Sequence, residues 1–286
     1  MMMTAILLAG MLVQTQDLPP EKHQKGEFTG KFSEHHPRSA PPELCKRIGW
    51  NLAETLKSDP GIETWKLEDE TFQIVVPESY DPAKSHGLLV WISPMDAGNF
   101  PVEWKAVLEA RGIIAIGANH SGNNRGPYYR LAMALDVVHN MEKRYTLDQK
   151  RIYVTGFSGG GRSASRCGLA FPDVFRGGIY QGGTDFYRGV PDPADPKREF
   201  PPKFIKPQGD LFDMARKESR HVLIAGSRDF NHPSSKAIFE AMMKDQFVNV
   251  EFHEMPDEGH VPATAEWLGK ALDYLDADPR DAKPKR

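Results

Sequence analysis

The amino-acid sequence predicts one α/β domain built on a mainly parallel central sheet with helices on both faces. Three observations predict it. Residues 87–92 (GLLVWI) and 112–117 (GIIAIG) are continuous apolar runs of strand length, the pattern of central strands covered on both sides. Such runs alternate with segments of helical apolar spacing, roughly 10–15 residues long, and that rhythm calls for crossover units. Of 286 residues, 40% are hydrophobic and 26% charged, which supplies a full core and excludes global disorder. No repeat and no linker divides the chain into two cores.

Composition also excludes classes of partner. The 36 Lys and Arg against 39 Asp and Glu leave a net charge of −3, with no general attraction to nucleic acid or an anionic membrane. Cys45 and Cys167 are too few for a disulfide-stapled fold or a Cys-rich zinc site. Whether they pair in an oxidising compartment or stay as two thiols is left open by the sequence.

In chain order, residues 5–13 (AILLAGMLV) are too short to cross a bilayer but have the length of the apolar part of a secretory signal peptide. A signal peptide near residues 1–20 and a secreted or periplasmic protein are expected. No Lys or Arg precedes the run and no A-x-A site follows, so a loose tail on a cytoplasmic protein is the alternative. Residues 1–41 as a whole read as a leader or flexible arm, with His23, His35 and His36 solvated. The single domain is expected at 42–277.

A helix is expected at 42–56, where Pro42 suits the first turn and Asp59-Pro60-Gly61 ends the segment. Strands follow at 71–76 and 87–92, a helix at 102–110 and a strand at 112–117. The helix at 129–142 shows Leu131, Met133, Ala134, Val137, Val138 and Met141 at three- and four-residue spacing. A strand at 151–155 leads into a helix at 159–170, and a strand lies at 174–180. Residues 184–220, rich in proline and charge, break the rhythm and read as a cap-like surface insertion with a short helix at 211–217. Strands at 221–225 and 248–253, helices at 235–244 and 263–275, and a charged tail at 278–286 complete the chain.

One segment carries chemistry. RIYVTGFSGGG at 151–161 is a strand running into Gly156-Phe157-Ser158-Gly159-Gly160, with a helix expected next. That order sets Ser158 on a tight turn, with its hydroxyl at the sheet edge and free helix N–H groups facing developing negative charge. A phosphate cradle is the other reading of a glycine-rich turn, but no Gly-Lys-Ser/Thr follows and this is not the first βα turn.

A serine nucleophile needs a base. His260, between the last strand and the last helix, is the first choice, ahead of His232 and His120. The orienting acid is expected to be Asp229, just past the strand at 221–225, with Asp185 as runner-up; Asp257 and Glu258 are too near His260 to fold behind its ring. Gly259 is expected to let the His260 loop approach closely.

Oxyanion donors are expected from the backbone N–H of Gly159 and, since Pro94 has none, from that of Met95, with Asp96 second. Substrate contacts are sought at His120 and Asn119, with Asn123 near them, and at Phe186 and Tyr187, with Phe200 and Phe204, although aromatic residues in such a segment usually pin it to the core. Gly161 serves close helix–sheet packing or loosens the turn. Trp91, Trp104 and Trp267 read as packing residues.

Together, the Gly156–Gly160 elbow, Asp229 in GSRD and the Gly259-His260 pair resemble the α/β-hydrolase superfamily over about residues 65–277. Within it they are most similar to the secreted esterase and polyhydroxybutyrate-depolymerase-like branch, with its feruloyl and acetylxylan esterase relatives. Dienelactone-hydrolase and prolyl-peptidase-like domains share the layout. The resemblance implies acyl transfer through a serine ester, with no metal and no organic cofactor; the expected substrate is a carboxylic ester, small-molecule, carbohydrate-linked or polyester. The chain departs from that pattern in having WISPMDAG where many relatives carry His-Gly-Gly. A serine peptidase of the same fold, a non-catalytic hydrolase-like binding protein and an acyl transferase are the competing readings.

Overall fold

A computed structural model describes residues 21–277. The expected signal peptide and the 278–286 tail lie outside the described residues. Strand β1 (Gly26–Gly30) precedes helices α1 (Pro41–Ile48), α2 (Leu52–Ser58) and α3 (Gly61–Thr64). Then come β2 (Phe72–Val76), β3 (His86–Ile92), α4 (Trp104–Arg111), β4 (Ile113–Ala118), α5 (Pro127–Glu142), β5 (Leu147–Phe157), α6 (Gly159–Ala170) and β6 (Gly177–Gln181). A small hairpin, β7 (Val190–Asp192) with β8 (Asp195–Phe200), and a short helix α7 (Asp210–Asp213) form the insertion. The chain closes with β9 (Arg220–Gly226), α8 (His232–Lys244), β10 (Val250–Met255) and α9 (Ala265–Asp276).

Eight strands form one sheet in the order β1-β2-β4-β3-β5-β6-β9-β10. The pairs from β4 to β10 are parallel, and β1 and β2 are antiparallel at one edge. The side-chain alternation of β3 divides the core in two. Leu88, Val90 and Ile92 point into the layer that holds α5, α6 and α8, while Leu89 and Trp91 point into the layer under α4 and α9. All seven residues of β3 are buried, which is why its sequence shows no polar alternation.

Three expectations need correction, and one open question is answered. Residues 26–30 are not part of a loose arm: Gly26 pairs with Val76 and Gly30 with Phe72, so they form the sheet's edge strand. The three early histidines are engaged by the fold, although His35 stays exposed. His23 Nδ1 meets the Tyr80 hydroxyl and His35 Nδ1 meets Asp136, each at 2.9 Å, and burial pushes half-buried His36 down to about 4. The helix expected at 42–56 is two helices. Gly49 ends α1 in the left-handed region (φ 83°) with its N–H on Cys45 O, and Asn51 restarts the chain by accepting from Glu54 N. Cys45 and Cys167 are both buried and both free.

The insertion is pinned to the core rather than hung over the sheet edge. Phe186 and Tyr187 are 2% and 7% exposed, and Tyr187 packs edge-on against Phe204 and Phe212. The Tyr187 hydroxyl donates to Asp245, whose carboxylate also takes two bonds from Arg188 at 2.9 Å. Among the described residues, no helix is long and apolar enough to cross a membrane.

Candidate active site

The C-terminal ends of β5, β9 and β10 deliver three side chains to one point. β5 ends at Phe157 and α6 starts at Gly159, so Ser158 stands alone in the turn. Its backbone (φ 56°, ψ −120°) occupies a region that residues with a side chain seldom adopt. Two hydrogen bonds hold it: Ser158 N–H donates to Gln181 O at 2.8 Å, and Arg162 N–H donates to Ser158 O at 3.1 Å. The turn also requires missing side chains. A Cβ on Gly156 would strike Gly160 O, and one on Gly160 would strike Ile92 O. A Cβ on Gly161 would lie 2.6 Å from the carbonyl oxygens of Gln181 and Gly183. The third glycine therefore serves close helix–sheet packing.

His260 Nε2 lies 2.9 Å from Ser158 Oγ, and His260 Nδ1 lies 2.9 Å from Asp229 Oδ2. An ionised carboxylate only accepts, so Nδ1 carries the proton and Nε2 is left to accept from the serine hydroxyl. The Asp229 side chain is fully buried, and its other oxygen accepts the Asn231 N–H at 2.8 Å. The His260 ring is bounded by Phe157 and Phe230, with centroids 4.6 and 4.4 Å away.

Gln181, which the sequence did not single out, ties these loops together. Its backbone oxygen holds Ser158 N–H, its side-chain oxygen accepts from Ala263 N–H at 2.9 Å, and its side-chain nitrogen donates to Thr155 Oγ1 at 2.8 Å. Asn231 does similar work: its Nδ2 donates to Gly182 O at 2.8 Å, and its Oδ1 accepts from Arg162 at 3.0 Å. A lone buried amide leaves no spacing signature, so nothing in the primary structure marks either residue.

Other expectations are redistributed. Asp185 is bound by Arg162 at 3.1 Å and Arg166 at 2.7 Å, so it is a structural ion-pair partner. His232 is engaged by Glu254 at 2.5 Å. The Asn119 amide is engaged between two loops: it accepts from Gly98 N–H at 2.8 Å and donates to Thr71 Oγ1 at 2.9 Å. Exposed His120 sits at φ 52°, with its N–H on Asp96 O at 2.5 Å. Phe186 and Tyr187 are core residues, as above, although Phe186 also lines a cavity of about 190 Å³ with Arg162, Thr184, Phe200 and Ile238.

Met95 N–H is turned into its own loop, donating to Ser93 Oγ at 3.0 Å. Gly159 begins α6, with its N–H at the helix's open end. The close approach of the His260 loop does not need Gly259 to lack a side chain, since a Cβ there would meet nothing within 4 Å. The approach is at Gly226, where a Cβ would strike the carbonyl oxygens of Glu258 and Gly259.

The chain is similar to known proteins in both sequence and fold. A family model described as the prolyl oligopeptidase family matches residues 107–277, more than half of the chain. Dipeptidyl peptidase 4 of Felis catus is 23% identical over 219 residues, covering 66% of this chain and 28% of that protein. This chain thus spans little more than a quarter of that relative's length.

Among solved structures, a putative dipeptidyl aminopeptidase IV from Bacteroides ovatus gives a TM-score of 0.55 at 14% identity, over 87% of this chain and 35% of that one. The feruloyl esterase module of Clostridium thermocellum gives 0.53 at 16%, over 72% and 82%. The S-formylglutathione hydrolase of Staphylococcus aureus gives 0.52 at 13%, over 90% and 98%. These likenesses establish the α/β-hydrolase fold. With its family match over more than half of its length, the chain belongs to the prolyl oligopeptidase family of serine hydrolases.

Proposed function

We propose that the protein hydrolyses carboxylic esters through an acyl-enzyme, with Ser158 as nucleophile, His260 as general base and then acid, and Asp229 as the group that orients and balances the imidazole. The observation that carries this reading is the continuous chain Asp229–His260–Ser158, with both links at 2.9 Å and the serine on a strained turn at a helix N-terminus.

His260 Nε2 takes the Ser158 proton as Oγ attacks the ester carbonyl. The tetrahedral oxyanion forms against the Gly159 N–H. His260 then returns the proton to the leaving alcohol, and water repeats the sequence to release the acid. Buried Asp229 keeps the proton on Nδ1 throughout, so only Nε2 exchanges protons with substrate.

Two observations favour an ester over a peptide. Asp185, on the loop after β6, is already neutralised by two arginines and offers no free charge to a peptide ammonium. The insertion packs beside the sheet, and the exposed ring of Phe230 stands at the rim, which suits an aromatic or carbohydrate-linked ester more than a threaded chain. The esterase and hydrolase structures named above are also spanned over most of their length. The family match supports the peptidase reading, which stays second. A secreted enzyme of the polyhydroxybutyrate-depolymerase-like branch is the narrower form of the proposal.

The test is hydrolysis of aryl acetate and butyrate beside a dipeptidyl anilide, for wild type and Ser158→Ala. Ester turnover that collapses in the variant, with little anilide cleavage, is the expected result. Dominant anilide cleavage would make the enzyme a peptidase. Ester turnover unchanged in Ser158→Ala would remove the mechanism.

A further inference from the structure

A serine acyl transfer needs two donors for its oxyanion, and Met95 N–H, the donor first expected to act with Gly159, is engaged within its own loop. Pro94 has no N–H, and Met95 N–H is spent on Ser93 Oγ at 3.0 Å. Beside that loop, the segment after β4 brings a different donor. Gly122 packs so tightly on it that a Cβ would lie 2.8 Å from Met95 C and 2.9 Å from Asp96 N. Asn123 N–H then donates to Pro94 O at 3.0 Å, which fixes the next residue against the oxyanion loop.

The Asn123 amide lies directly on Gly159, the residue after the nucleophile. A Cβ on Gly159 would collide with Asn123 Oδ1 and would lie 3.1 Å from Nδ2. Its orientation is set from behind. Arg130, 7% exposed, donates from Nη1 to Asn123 Oδ1 at 3.4 Å and from Nη2 to Ser93 O at 3.0 Å. A guanidinium only donates, so the amide oxygen must face it and the NH₂ must face away. That NH₂ has no partner among the described residues.

We propose that Asn123 Nδ2 is the second oxyanion donor, acting with Gly159 N–H, and that Arg130 is the positioning residue that aims it. The inference rests on the acyl-enzyme reading above. Arg130 adds a second effect: burial lowers it only to about 10, so it stays charged at neutral pH behind the amide and reinforces its dipole. The exposed surface of Asn123 fits the role, because the donor must meet incoming substrate.

The test uses the full chain and an aryl acetate, comparing wild type, Asn123→Ala, Asn123→Asp and Ser158→Ala. Removing one oxyanion donor lowers kcat on the order of 10²–10³-fold. Asn123→Ala should show that loss with KM within about threefold, and Asn123→Asp should lose at least as much. A trifluoromethyl ketone, which forms the tetrahedral adduct, should weaken by the same factor as kcat; a merely structural role would not move it in step.

If Ser158→Ala abolishes turnover while Asn123→Ala keeps kcat within threefold, the proposal falls and the acyl-enzyme reading stands. If Ser158→Ala leaves turnover intact, both fall.

Discussion

The ring of Phe230 stands 4.4 Å from the ring of His260 and is 74% exposed, although it follows directly on Asp229. An aromatic ring of that exposure, placed on the imidazole, is available to stack on a substrate. Stacking of this kind contributes about 1 kcal/mol, or roughly fivefold in binding. Phe230→Ala should therefore raise KM for an aryl ester about fivefold and leave the melting temperature unchanged. An unchanged KM would make the ring a shield for His260 only.

Asp229 and Asp185 separate chemistry from architecture. Asp229→Asn should lower kcat by about 10⁴-fold, because the amide no longer enforces the Nδ1–H tautomer. Asp185→Asn should leave kcat near wild type while lowering stability, because it strips Arg162 and Arg166 of their partner. Steady-state kinetics and urea unfolding on both variants check this; the reverse pattern would exchange the two roles.

Gln181 joins the serine turn to the histidine loop. Gln181→Leu leaves Ala263 N–H without its acceptor in a fully buried place, and takes from Thr155 Oγ1 the bond it accepts while its own hydroxyl still donates to Ile179 O. The expected cost is about 1–3 kcal/mol per orphaned group. The drift of the His260 loop should lower kcat on the order of 10–100-fold with KM little changed. Activity retained at full kcat would mean that the loop holds its position without Gln181.

Gly226 and Gly259 form a matched pair. A Cβ at Gly226 strikes two carbonyl oxygens, and one at Gly259 meets open space. Gly226→Ala should destabilise the fold by about 1–3 kcal/mol and reduce activity. Gly259→Ala should stay within about 0.5 kcal/mol of wild type. Denaturant unfolding of the two variants decides it.

His221 gives acid sensitivity. It is fully buried, and its Nε2–H donates to Ala215 O at 2.8 Å while Nδ1 accepts from the Tyr180 hydroxyl at 2.8 Å, so the folded state holds it neutral. Burial pushes it from 6.5 down to about 4. The unfolded chain binds its proton as pH falls through 6.5, whereas the folded chain refuses it until about 4. Stability is therefore full above about 6.5 and declines by about 3 kcal/mol as pH falls to about 4. His221→Gln should flatten part of that decline in unfolding free energy. His36, also held near 4, supplies a further part.

Much of the fold was legible because its signals are local. The unbroken apolar runs of β3 and β4 mark strands covered on both faces, and the strand–elbow–helix around Ser158 is written in consecutive residues. The edge strand β1 was not legible. GEFTG is short and glycine-bounded, and it becomes a strand only because β2 presents an open edge to pair with. The hairpin β7–β8 escaped notice for the same reason, within a proline-rich segment.

The sequence by itself determined the fold class, the turn that exposes Ser158 and the chain order of Ser158, Asp229 and His260. The fold class and the turn rest on residues near one another in the chain, and the order of the three rests on which strand each one follows. Only the tertiary structure decided which polar groups were still free once the loops converged. It committed Asp185 to two arginines, Asn119 to Gly98 and Thr71, and Met95 N–H to Ser93. It buried Phe186 and Tyr187, placed the Asn123 amide on Gly159 and made Gln181 the tie between the Ser158 and His260 loops. The physical reason is that hydrogen-bonding capacity is exclusive and finite. A donor or acceptor spent on a distant neighbour is no longer available to substrate, and the sequence does not record that neighbour.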